Sequence, residues 1–186
     1  MFHGALLFNR RVVGWATAHP MTSQRYKYTL GFIRSGDHIL FLNRQKAPWM
    51  GRWNGVGGKL DTNESPYECI VRETFEETGL HLPQYKDRGV MRWFRNGEDL
   101  GGVHIFTAEI SEAEKDAYKT PKSFCHEGIL DWKLLDWLLH PENTGVVDNV
   151  KIMLQHLFEA GPESVWISTY DNSVLESCTY TANYVE

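Results

Sequence analysis

Apolar and polar positions alternate over 26–34, which sets Tyr26, Tyr28, Leu30 and Phe32 on one face and predicts a strand. Ser35-Gly36-Asp37 reads as a tight turn, and 38–44 (HILFLNR) as the returning strand. The alternation then stops. Residues 45–52 read as a loop containing Pro48 and Gly51. Trp53-Asn54-Gly55-Val56-Gly57-Gly58 is a glycine-rich run, suited to close backbone approach to a ligand or to ordinary turning. Beyond it the period becomes helical. Ser65 is a good N-cap, Pro66 suits the first helical position, and Glu68 completes a capping box. Gly79 supplies a left-handed stop. Between those ends Tyr67, Ile70, Val71, Thr74 and Phe75 gather on one side of the helix. Glu73, Glu76 and Glu77 gather on another, with Arg72 at the edge.

Further along, 88–95 and 103–110 read as a strand pair around a polar turn at 96–102. Residues 111–123 read as a loop or short helix, and 128–134 as a strand. Val147, Val150, Leu154 and Leu157 mark a second amphipathic helix over 147–158. The chain closes with a hairpin of 164–170 and 174–184 around Asp171-Asn172-Ser173. This order predicts an α/β fold: a mixed central sheet with a helix on each face, an α/β/α sandwich.

Composition narrows the picture. At 186 residues the length suits one domain with a sizeable core. A formal net charge of −5 argues against a general nucleic-acid binder, so a polyphosphate ligand needs a local basic patch or a metal ion. No membrane span is visible. Cys69, Cys125 and Cys178 show neither zinc spacing nor a disulfide framework, which points to a reducing cytoplasm. Residues 1–25 carry no acid and read as a poorly ordered extension ahead of a domain at 26–186. Met21 is an alternative start.

Three carboxylates at i, i+3, i+4 repel one another, and a hard divalent cation removes that penalty. Oxygen donors grouped this way suit Mg2+ or Mn2+. The competing reading is a solvated acidic face. The surroundings favour the first. Gly58, Glu64, Arg72, Glu73, Glu76, Glu77 and Gly79 match the Nudix box, G-x5-E-x7-R-E-U-x-E-E-x-G-U, at every charged and glycine position. Thr74 stands where the box has an aliphatic residue, a departure expected to cost some packing but no chemistry.

The chain thus resembles the Nudix hydrolases. Through Gly51–Leu60 (GRWNGVGGKL), it resembles more closely the MutT-type 8-oxo-dGTP diphosphatases. The resemblance implies Mg2+-dependent hydrolysis of a nucleoside triphosphate to the monophosphate and pyrophosphate. It implies that Asn54 reads the purine, Thr29 lines the base pocket, Arg44 reaches the phosphates, and Gly57 and Lys59 line the substrate wall. Glu73, Glu76 and Glu77 are expected to hold the metal with the Gly58 carbonyl, and Glu127 is the candidate for a further, distant carboxylate. Glu64 or Glu73 is expected to orient or deprotonate water, and Arg72 to orient carboxylates. Asp148 and Asn149, or Glu142 and Asn143, are candidates for a second base contact, or for capping the helix. Trp49, Trp53 and Trp93 are candidates for stacking or for core.

Alternatives remain another Nudix hydrolase, acting on a pterin triphosphate, a nucleotide sugar or a capped RNA, or a non-catalytic binding module. The expected partner is a small-molecule nucleotide, bound by a monomer.

Overall fold

The computed structural model describes residues 25–184. The reading of 1–25 as an extension, with its alternative start, lies outside those residues except for Arg25, whose guanidinium pairs with Asp99. The elements are β1 (Tyr26–Ser35), β2 (His38–Arg44), β3 (Trp53–Asn54), α1 (Pro66–Thr78), β4 (Lys86–Arg95) and β5 (Glu98–Glu109). They continue with α2 (Glu112–Ala117), β6 (Gly128–Leu134), α3 (Leu135–Leu139), α4 (Asp148–Met153), β7 (Val165–Asp171) and β8 (Val174–Thr181).

One mixed sheet runs in the order β3-β2-β1-β5-β4-β7-β8, with β6 also on β2. β1 pairs with β5, and β4 with β7, in parallel; the other pairs are antiparallel. Helix α1 covers one face, where Ile70 packs with Tyr85, Phe106 and Ala108. Helix α4 covers the other, where Val147, Val150 and Met153 pack with Phe32, Phe41, Ile105 and Trp166. The expected α/β/α sandwich is therefore present. Among the described residues no helix is long and apolar enough to cross a membrane.

The site depends on one feature of the sheet. β1 and β2 pair only as far as Ile33–Leu40 and then separate. Residues 53–59 wedge between them: Trp53 and Asn54 pair with β2, then Val56 pairs with Gly31 and Lys59 with Tyr28. The approach is close enough that a Cβ on Gly57 (φ +139°) would lie 2.3 Å from the Thr29 carbonyl oxygen. Only glycine fits there. The glycine-rich run thus becomes an inserted strand that leads directly to α1.

Several elements differ from the sequence reading. A bulge in β1 sets Tyr26 opposite Gly102 and Tyr28 opposite Val103, so Tyr26 is buried while Tyr28 is exposed. The polar turn is shorter than 96–102: Asn96 and Gly97 take positive φ, a two-residue hairpin turn, and pairing resumes at Glu98. Of 147–158 only Asp148–Met153 is α-helical, although Leu154 and Leu157 remain in the core through irregular turns. The segment 111–123 contains the short capped helix α2, α3 is an additional helix, and the last strand ends at Thr181.

Candidate active site

Helix α1 carries the chemistry, and its ends are built locally. The Ser65 side chain accepts from the Glu68 N–H, the Glu68 side chain accepts from the Ser65 N–H, and Gly79 closes the helix with φ 75°. Thr74 is fully buried, and its hydroxyl shares a 2.6 Å hydrogen bond with the Tyr85 hydroxyl. The departure from an aliphatic residue buries an extra polar atom, and Tyr85 satisfies it.

Arg72 organises the acidic face. Its Nε and Nη2 donate to the two oxygens of Glu64 (2.8 and 2.9 Å), and Nη1 donates to Glu73 (2.9 Å) and Glu76 (3.2 Å). Nη2 also donates to the Lys59 carbonyl at 3.2 Å, tying α1 to the inserted strand. The Arg72 bonds hold the Glu64 carboxyl down at about 2, with help from the Asp61 N–H. Glu64 thus has both oxygens occupied by the guanidinium.

Glu73 and Glu77 lie in a different environment. Burial pushes the Glu73 carboxyl up, against the pull of Arg72. Burial pushes Glu77 up to about 8, and Glu73 and Glu127 push the same way. The Gly57 N–H, donating to Glu77 Oε2 at 2.8 Å, and Arg44 oppose it. A Cβ on Gly58 would fall 2.4 Å from the Glu73 carboxyl carbon, so that glycine makes room for the carboxylate. The Gly58 carbonyl accepts from the Thr29 N–H at 2.8 Å and, weakly, from the Cys69 thiol at 4.0 Å.

These donors fit a hard divalent cation in kind. They are all oxygen, and two carboxyls are pushed toward their neutral forms by burial, a cost that a neighbouring cation reverses. Among the described residues no three His, Cys, Asp or Glu side chains are already gathered around one point. Glu76, with a side chain 56% exposed, is more open to solvent than Glu73 at 15%.

Glu73, Glu76 and Glu77 open on a cleft of about 790 Å3. Thr29, Arg44, Asn54, Gly57, Gly58, Lys59 and Glu127 border the same cleft. Thr29 is buried with its hydroxyl 3.4 Å from the Cys69 sulfur. The Asn54 Oδ1 accepts from the Gly55 N–H at 2.8 Å, so part of its amide shapes the Asn-Gly turn.

Asp148 and Asn149 do not border the cleft. Arg52 grips both oxygens of Asp148 at 2.9 and 2.6 Å and also donates to the Val146 carbonyl. Asn149 is buried, with Nδ2 3.1 Å from the Met91 sulfur and Oδ1 without a partner among the described residues. Asp148 is thus taken up by Arg52, and Asn149 faces Met91 in the interior. Nor do Glu142 and Asn143 border the cleft; the Asn143 amide donates to the Trp137 carbonyl.

The tryptophans divide. Trp49, Trp53 and Trp93 all pack against the core, but only Trp49 and Trp93 also border the cleft; Trp53 has the Lys133 ammonium 4.3 Å above its ring. Trp49 is held in left-handed backbone (φ 69°) by a loop tied at Gly51 N–H to Arg44 carbonyl (2.7 Å) and at Asn43 Nδ2 to Gly51 carbonyl (2.9 Å). Tyr28 and Trp93, with ring centroids 6.2 Å apart, form an aromatic wall. Sequence reasoning missed Tyr28 and Lys46 in this role. Lys46 meets the site through Glu127, 81 positions away, and no local pattern marks such a contact.

A family model for the NUDIX domain matches residues 26–153. An oxidized purine nucleoside triphosphate hydrolase of Danio rerio is 33% identical over 87 residues, 46% of this chain and 56% of the relative. Its Mus musculus counterpart is 32% identical over 83 residues, 44% and 53% respectively. The chain spans about half the length of these curated relatives. Among solved structures, a MutT protein from Bacillus halodurans superposes with a TM-score of 0.62 at 24% identity, covering 82% of this chain and 95% of that one. At that identity the likeness concerns the fold alone.

Proposed function

The chain belongs to the NUDIX domain family, and we propose that it is a Mg2+- or Mn2+-dependent hydrolase of oxidised purine nucleoside triphosphates such as 8-oxo-dGTP. The products are the monophosphate and pyrophosphate, and the enzyme works as a cytoplasmic monomer that cleans the nucleotide pool. One observation carries this reading. Glu73 and Glu76, held by Arg72, open with Glu77 on the same cleft as Asn54 and the rings of Tyr28, Trp49 and Trp93. A single cavity therefore offers oxygen donors for a metal–polyphosphate and flat apolar faces for a base.

Phosphoryl transfer needs positioning and charge neutralisation more than covalent help. Glu73, Glu76, Glu77, the Gly58 carbonyl and Glu127 are the residues that would hold divalent metal. When bound, such an ion neutralises the polyphosphate and lowers the pKa of bound water. Arg44 and Lys59, which border the same cleft, would meet phosphate oxygens. Arg72 keeps Glu64 and Glu73 in register and stays outside the reaction. Glu73 is better placed to accept the proton of water than Glu64, because Glu73 borders the cleft while both Glu64 oxygens are held by Arg72. Water adds to the phosphorus nearer the nucleoside, the P–O bond to pyrophosphate breaks, and the water proton passes to Glu73.

The test is a product screen of the purified protein against dGTP, 8-oxo-dGTP and the other common triphosphates, with Mg2+ and with excess EDTA, in 18O-water. Oxidised purines should be turned over fastest, with 18O in the monophosphate. Orthophosphate with a nucleoside diphosphate as first products, or full turnover in EDTA, would contradict the proposal.

A further inference from the structure

Lys46 borders the cleft and makes a side-chain contact that the proposed reaction does not use. It sits in the loop after β2, and its Nζ lies 2.6 Å from Glu127 Oε1 in the loop before β6. The two loops are fastened together by the Gln45 N–H donating to the Glu127 carbonyl at 2.8 Å, and Arg44 lies opposite Gly128 across the β2–β6 ladder. The ion pair therefore spans two elements whose backbones are fixed, and only the side chains are left to move. Lys46 and Glu127 both border the cleft, and Glu127 is close enough to Glu77 to push that carboxyl up.

The cleft carries more acidic than basic side chains. Glu73, Glu76, Glu77 and Glu127 face Arg44, Lys46 and Lys59, while Arg72 is engaged behind them. Glu127 beside a half-buried anionic cluster is a costly arrangement, and the Lys46 ammonium offsets it. The pair is nevertheless weak by construction. Its side chains are 56% and 33% exposed. Pairs of that kind shift an equilibrium by up to about fivefold. A strong, buried pair would hold its partners permanently, whereas this one can be exchanged. A lysine is suited to exchange, being a flexible stem with a point charge.

We propose that Lys46 is a placeholder cation for Glu127. Without ligand it occupies the carboxylate that the divalent ion takes. When a metal–polyphosphate enters, Glu127 passes to the metal and the freed ammonium passes to a phosphate oxygen. Lys46 is thus a positioning residue for Glu127 and a substrate contact in turn. The inference rests on the reading of Glu127 as a metal-facing carboxylate.

That exchange has a signature of opposite signs. Lys46→Met removes a competitor for Glu127, so Mn2+ binding to the nucleotide-free protein, read by calorimetry, should tighten about threefold to fivefold. The same variant loses a phosphate contact, so an α,β-imido triphosphate analogue in Mg2+ should bind about fivefold or more weaker. Lys46→Arg should restore nucleotide binding toward wild type, and a thermal melt of each variant checks folding. Glu127→Gln should weaken Mn2+ binding. If it leaves Mn2+ affinity unchanged, the reading of Glu127 fails and the exchange fails with it. If Glu127→Gln weakens Mn2+ binding while Lys46→Met moves both affinities in one direction, or neither, the exchange alone is refuted. The pair is then an ordinary surface ion pair.

Discussion

Replacing Arg72 with glutamine tests the whole arrangement of the acidic face. The guanidinium makes two bonds to Glu64 and one to Glu73, whose side chains are only 12% and 15% exposed; the contact to Glu76 is at 3.2 Å and 56% exposed. The exposed contact is worth about 0.5 kcal/mol. The bonds to Glu64 and Glu73 are charge-assisted, about 1.5–3 kcal/mol each, and do not add fully because they share one group. With the arginine itself 28% exposed, solvent repairs part of the damage, and a loss of about 3 kcal/mol is expected. For a domain of this size that lowers Tm by roughly 6–12 °C. Turnover should fall by roughly 10–100-fold, because Glu73 loses its fixed position. Lysine keeps the charge but not the fork, so Arg72→Lys should recover part of the stability and little of the rate. The pH dependence gives a second reading. Glu64 is depressed from 4.5 to about 2 in the fold, so its share of stability is fully present above about 4.5 and is lost as pH falls toward 2. The Tm gap between wild type and Arg72→Gln should therefore be constant above pH 5 and narrow below it. Scanning calorimetry from pH 7 to 3.5, with steady-state kinetics at pH 7.5, measures both. A gap that stays constant in acid, or a lysine variant equal to wild type in rate, refutes the account of Arg72 as the organiser.

Four further outcomes are expected. Glu76→Gln and Glu77→Gln should each reduce kcat by about a hundredfold. Because Glu77 is pushed up to about 8, Mn2+ affinity of the nucleotide-free protein should fall by up to about tenfold per unit as pH drops below 8; a flat calorimetric profile from pH 6 to 8.5 would count against Glu77 as a ligand. Asn54→Ala should raise KM for 8-oxo-dGTP by the equivalent of about 1–3 kcal/mol while dGTP turnover changes less. An unchanged preference between the two substrates would reduce Asn54 to a turn residue. Thr74→Val leaves the buried Tyr85 hydroxyl without its 2.6 Å partner and should cost about 1–3 kcal/mol. Adding Tyr85→Phe should return much of that stability, and a double variant no better than the single one would deny the hydrogen bond its role.

What the sequence determined by itself is what a few neighbouring residues decide. Helix α1 was legible to its caps because Ser65, Glu68 and Gly79 act on backbone groups within one turn. The shared face of Glu73, Glu76 and Glu77 follows from helical geometry alone, and the Gly36-Asp37 turn and the β7–β8 hairpin follow from the turn residues between two alternating stretches. The bulge that separates Tyr26 from Tyr28 was not legible, since it is defined against Gly102 and Val103 on another strand. The tertiary structure decided which residues share the cleft. The parallel pairing of β1 with β5 and the wedge of 53–59 between β1 and β2 bring Thr29, Asn54 and Gly58 beside the helix. The same closure sets Glu127 against Lys46 and turns Asp148 onto Arg52, 96 positions away. Periodicity reports which face a residue occupies within its own element. Which elements meet is settled by burying both faces of one sheet at once, a condition on the whole chain that no short stretch of sequence contains.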